Sequence, residues 1–194
     1  VCVLECATGY SGDEVSAKVT ISGHPGSGTS TLVNGICKTL NWQKLNGGQV
    51  FRNMAEERGL SLEEFSLCCM DDDSVDQSLD QLLVETMVSD DSPEIVESRL
   101  AGWWAYKNKL HCPRVWIDVS ERVRAGRVVN REGGSIDEQL NLIRERMEYD
   151  DGRYTQFYDI DINSHEPYTC VIDSDAMAVE DVLIRVLQHL EEFN

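Results

Sequence analysis

The sequence predicts a three-layer α/β/α fold around a central, mostly parallel sheet. Two features predict it. Short β-branched runs alternate with longer stretches of helical period along the 194-residue chain, and a glycine-rich turn separates the first run from the first helix. Such alternation covers both faces of a parallel sheet with helices and places ligands beyond the carboxyl ends of the strands.

Residues 1–16 show no clear periodicity and contain Gly-Tyr-Ser-Gly, so they read as an N-terminal extension before a domain over 17–194. Ala17–Ser22 alternates toward Val19 and Ile21 and stops at Gly23, a first strand. After the glycine turn, Val33, Ile36, Cys37 and Leu40 recur at helical spacing. A short strand near Gln43–Leu45 leads into Asn46-Gly47-Gly48. Helices are expected over about 49–58 and 61–70, the second opened by the capping box Ser61/Glu64, with a break at Met70–Asp73. Val75, Leu79, Leu82, Leu83 and Met87 mark a further helix. Ile95–Glu97 reads as a buried strand, Arg99–Ala105 as a helix start and Val115–Val119 as another strand. Two helical stretches follow at Arg122–Arg131 and Ile136–Tyr149. Cys170–Ile172 is the last strand, and Val179, Val182, Val186 and Leu190 line one face of a closing helix.

Composition narrows the function. The chain carries 17 basic and 35 acidic residues, a formal net charge of -18. That field repels nucleic-acid backbones and disfavours direct nucleic-acid binding. It is compatible with a protein partner at the acidic surface or the extension. The longest apolar runs fall far short of a membrane span. Twelve of the basic residues are Arg and five are Lys. Arginine grips phosphate with a bidentate fork, so this bias points to anion contacts inside an acidic shell. The seven cysteines form no C-x-x-C pair, which argues against a zinc site or a disulfide framework and for a reducing compartment. A first residue of Val rather than Met leaves an organelle stroma, such as a plastid's, and the cytoplasm both open as expected locations.

Gly23-His24-Pro25-Gly26-Ser27-Gly28-Thr29-Ser30 fits G-x-x-x-x-G-K-[ST] at every fixed position but one. Its place between strand and helix makes it a phosphate-binding P-loop. Backbone N–H groups and the positive end of the following helix would hold phosphate, with Gly23, Gly26, Ser27, Gly28, Thr29, Ser30 and Thr31 as the contact set. Ser30 would offer its hydroxyl to Mg²⁺, and Glu97, ending a strand nearby, either holds a water of the same ion or is structural. Thr29 stands where the motif has lysine. That ammonium neutralises charge developing on the transferred group, and its loss should slow transfer by ~10² or more, about 3 kcal/mol.

Five strings resemble archaeal-type cytidylate kinases, in order and spacing: VTISGHPGSGTST from Val19, GQVFRNMAEERGLSLEEF from Gly48, VESRLAGW from Val96, VWIDVSERVRAGRVVNRE from Val115 and RYTQFYDIDI from Arg153. The resemblance spans about 17–190 and implies a P-loop NTPase core with a helical monophosphate-binding insertion and a mobile lid. It implies ATP and Mg²⁺ as cofactors, and CMP or another nucleoside monophosphate as acceptor. Arg52 and Arg99 correspond to monophosphate contacts; Arg127, Arg131, Arg146 and Arg153 correspond to arginines that embrace the transferring phosphoryl group. Asp76 and Asp80 share a helix face in the insertion and are either readers of base or ribose or solvated helix charges. Arg127 and Arg131, four residues apart, would otherwise pair with nearby acids. Trp103 and Trp104 read as core. The chain departs from the family pattern at Thr29, at Tyr149-Asp150 and in its extension. Two functions are therefore expected: a CMP kinase weakened by Thr29, or an inactive nucleotide-holding subunit or regulator of a protein or ribonucleoprotein assembly.

Overall fold

A computed structural model describes residues 16–61, 64–65 and 73–193. The expected extension, all but Ser16, lies outside the described residues. So does most of the helix expected over 61–70, although the Ser61/Glu64 capping box is present, with Glu64 N–H donating to Ser61 Oγ at 3.1 Å.

The elements run β1 (Val19–Gly23), α1 (Thr29–Leu40), β2 (Lys44–Asn46), α2 (Gly47–Glu57), α3 (Asp73–Met87), β3 (Ile95–Glu97), α4 (Ala101–Lys107), β4 (Arg114–Asp118), α5 (Glu121–Glu132), α6 (Ile136–Tyr158), β5 (Cys170–Asp173) and α7 (Val179–Phe193). Five strands form one sheet in the order β2-β3-β1-β4-β5. Every pairing is parallel, Ile21 lying opposite both Glu97 and Val115. The order reverses at β1, so a crevice opens beyond its carboxyl end, where the glycine loop begins.

Strand residues alternate between two cores, as the pleat requires. Ile21, Ile95, Val115, Ile117 and Ile172 face α1 and α7 through Val33, Ile36, Val182 and Val186. Val96 and Trp116 face the other way, into Trp103, Trp104, Tyr154, Ile160 and Ile162. Trp103 and Trp104 are core residues, as expected, each 7% exposed.

Several boundaries differ from expectation, most by a residue or two, and three of the shifts bear on the site. β2 lies one residue later than expected, with Asn46 accepting from Gln49 N–H as N-cap of α2. The helix expected from Arg99 starts at Ala101, which leaves Arg99 on the β3–α4 connection beside the glycine loop's crevice. The helix expected to stop at Tyr149 continues to Tyr158 and ends on Asp159 in the left-handed conformation. Its start is fixed by a full Ser135/Glu138 capping box, and buried Asp150 and Tyr154 anchor the added turns on either side of Gly152. Among the described residues, no helix is long and apolar enough to cross a membrane.

Candidate functional site

The phosphate loop leaves β1 at Gly23 and enters α1 at Thr29. Gly26 and Gly28 have φ of 84° and 91°, a region that side chains rarely enter. At Gly26 a Cβ would also lie 2.9 Å from the Arg124 carbonyl oxygen, so α5 presses directly on the loop. Gly28 caps α1 and no side chain covers the first N–H groups of that helix, which leaves its positive end open to an anion.

Thr29 turns to Glu97. Its Oγ1 donates to Glu97 Oε1 at 2.7 Å, and Ser30 Oγ donates to the same oxygen at 2.8 Å. Asn46 Nδ2 donates to the other carboxylate oxygen at 2.5 Å. Glu97 is 5% exposed, and all three donors are neutral. A buried carboxylate with no cation partner among the described residues, beside a serine hydroxyl, is a hard-oxygen donor set that fits Mg²⁺. Among the described residues no group of three or more His, Cys, Asp or Glu side chains gathers as a metal cage. An ion here would take its remaining ligands from water and phosphate, as Mg²⁺ commonly does.

One cleft of about 970 Å³ joins the loop to Arg52, Arg99, Arg127, Arg131, Arg146 and Arg153, with Asp80 and Glu97 also on its wall. All six expected arginines therefore meet in one space, inside a chain of net charge -18. No lysine lines it. Lys18 pairs with Glu94, Lys44 donates to Asn34 and Lys107 to the Tyr158 carbonyl, so none of these three replaces the missing ammonium.

The arginines differ in how they are held. Arg127 donates from Nη1 to the Ser27 carbonyl at 2.7 Å and from Nη2 to the Ser174 carbonyl at 2.8 Å. Arg131 is 67% exposed at its side chain and pairs with Glu132 at 2.5 Å. The expected neighbours on one helix thus split: one is docked on the loop, the other paired with an acid. Arg52 is exposed and braced by Gln49, Nη2 to Oε1 at 2.9 Å. Arg99 pairs with Asp150 across the cleft floor. Arg153 lies 3.8 Å from Asp80 and 4.0 Å from Asp150. Asp80 is 9% exposed and accepts from the Tyr158 hydroxyl at 2.8 Å, so it is not a solvated helix charge. The side chain of Asp76 lies outside the described residues.

Like charge accumulates here. Burial, with Arg146, Arg153 and Arg124 nearby, draws the Arg99 guanidinium down to about 10. Desolvation in the cleft, with Arg131 and Arg52 close, lowers Arg146 as well. His24, within the loop, is drawn down to about 4, first by burial and then by Arg124 and Arg99. It packs edge-on against Trp116, ring centroids 4.9 Å apart. Sequence reasoning assigned no role to His24, Arg124, Asn46 or Tyr158. Only the Asn46-Gly47-Gly48 turn and the departure at Asp150 hinted at their neighbourhood.

A glycine loop at the carboxyl end of β1, opening α1 beside a cation-lined cleft, defines a P-loop nucleotide-binding protein. The model of the cytidylate kinase-like family matches residues 18–176. This chain is 37% identical over 177 residues to a cytidylate kinase of Pyrococcus abyssi, covering 90% of this chain and 95% of that protein. It is 34% identical over 174 residues to one of Archaeoglobus fulgidus, covering 90% and 94%. The chain belongs to the cytidylate kinase-like family, and its function is of the nucleoside-monophosphate-kinase type. Solved structures share the fold alone. A gluconokinase of Sinorhizobium meliloti superposes with TM-score 0.58 at 17% identity, covering 93% of this chain and 94% of that one. A shikimate kinase of Bacteroides thetaiotaomicron superposes with TM-score 0.57 at 16% identity, covering 90% and 98%.

Proposed function

We propose that the chain transfers the terminal phosphoryl group of ATP to CMP. The observation that carries this reading is one cleft lined both by the phosphate loop and by Arg52, Arg99, Arg146 and Arg153. Phosphoryl transfer needs little from a protein beyond in-line positioning and compensation of spread negative charge. Gly23, Gly26, Ser27, Gly28, Thr29, Ser30 and Thr31 hold the donor phosphates. Arg52 and Arg99 hold the acceptor phosphate, and Asp80 stands at the nucleoside side of the cleft. Arg127, Arg131, Arg146 and Arg153 close on the group in flight. An acceptor phosphate oxygen attacks the terminal phosphorus, the bond to the bridging oxygen breaks, and ADP leaves with that bond's electrons. Ser30 and, through water, Glu97 would hold Mg²⁺, which would supply positive charge to offset that of the donor phosphates.

Thr29 makes this transfer slow. Incubation with Mg-ATP and CMP should yield ADP and CDP together, and Thr29→Lys should raise the rate by ~10² or more. ATP binding without CDP from either protein would sink the kinase reading and leave a nucleotide-holding relative in its place. CDP formation in an intracellular compartment accords with the free Cys37, Cys112 and Cys170.

A further inference from the structure

Two arginines on one face of α5 reach carbonyls of the phosphate loop. Arg127 grips Ser27 at 2.7 Å, and Arg124, three residues earlier, donates from Nη1 to Pro25 O at 3.3 Å. Arg124 is 2% exposed; its Nε donates to Val119 O at 3.1 Å and its Nη1 lies 3.3 Å from Met147 Sδ. Among the described residues neither guanidinium donates to a carboxylate, and Arg127 bonds the carbonyls of Ser27 and Ser174. Asp175 lies within electrostatic reach of Arg127, and Glu121 and Asp118 within reach of Arg124, but it is main-chain carbonyls that hold both cations against the loop and whatever it binds. Arg127 also retains donors. Its guanidinium carries five N–H groups, its hydrogen bonds go to two carbonyls, and the side chain lines the cleft. Its Nη1 would lie 3.5 Å from a Cβ at Gly28, next to the residue that replaces lysine. Thr29, meanwhile, carries no charge and is tied to Glu97 at 2.7 Å.

We propose that Arg127, with Arg124 as a positioning residue behind the loop, supplies the polyphosphate with the positive charge that a loop lysine would supply. The inference rests on the donor-phosphate site of the proposed function. It predicts that lysine at position 29 and arginine at position 127 are redundant for binding the polyphosphate, while the rate gain expected of Thr29→Lys comes from an ammonium at the group in flight.

The test is a double-mutant cycle read by calorimetric binding of Mg-ATP, and of Mg²⁺ with sodium tripolyphosphate, at fixed ionic strength. Arg127→Met should weaken binding about tenfold or more with Thr29 in place, and less than about threefold with Thr29→Lys. Arg127→Lys should keep most of the affinity, and Arg124→Met should weaken it while thermal melting shows a folded protein. An equal loss from Arg127→Met in both backgrounds would overturn the inference. So would a loss from Arg127→Lys as large as that from Arg127→Met, which would make the carbonyl clamp merely structural. Binding by the parent protein with no CDP formed would sink the proposed reaction and leave this inference standing; no binding of either probe would sink both.

Discussion

At the scale of single residues, burial decides which charges matter. Asp150 is 8% exposed and faces both Arg99 and Arg153. Removing one member of a buried pair leaves the other uncompensated. Asp150→Ala should therefore lower unfolding free energy by about 3 kcal/mol in denaturant titrations. His24 gives a pH dependence. Its folded value of about 4 lies below the ordinary 6.5, so the unfolded chain takes up this proton first as pH falls. Stability contributed by neutral His24 is complete above pH 6.5 and is lost progressively down to about pH 4. The loss should be on the order of 1–3 kcal/mol. His24→Gln should flatten that slope, and proton NMR of the imidazole should place its midpoint near 4. A midpoint near the ordinary value would contradict the packed environment described here.

At the scale of elements, the phosphate loop is shaped by α5 as much as by its own glycines. Gly26 combines a φ of 84° with an Arg124 carbonyl that a Cβ would approach to 2.9 Å. Gly26→Ala should cost about 1–3 kcal/mol and weaken ATP binding, because the backbone must move away from α5 to accept the methyl group. Unchanged melting and unchanged ATP affinity would show that the loop is looser than its contacts imply. The sequence carried the loop's period and glycines but not this contact, which joins Gly26 to Arg124, 98 positions away. The elements themselves were largely readable. The strand expected over Val115–Val119 lies one residue earlier, at Arg114–Asp118, and the helical repeat from Val33 to Leu40 falls where periodicity places it. The misread boundary at Tyr149 has a physical cause: the next turn is held by Asp150 and Tyr154 burying against other elements, which local propensity does not contain.

At the scale of the whole molecule, a net charge of -18 surrounds a cleft walled by six arginines. Self-repulsion of the acidic shell should destabilise the folded state at low ionic strength and be screened by salt. The melting temperature should rise as NaCl is raised from about 10 mM to about 0.5 M. A fall would mean that attraction within the arginine–carboxylate network outweighs shell repulsion.

The sequence by itself determined the layered parallel sheet and the phosphate loop with threonine in place of lysine, which reside in local period and spacing, and pointed to the six arginines through strings that resemble a family. The tertiary structure alone decided what each charge does. It tied Thr29 to Glu97, docked Arg127 on the loop while leaving Arg131 to solvent, buried Asp80 against Arg153 and Tyr158, and set Arg124 behind the phosphate site. A residue type fixes a charge, but its partner and the dielectric around it depend on chain segments far apart in sequence, and only the fold brings those together.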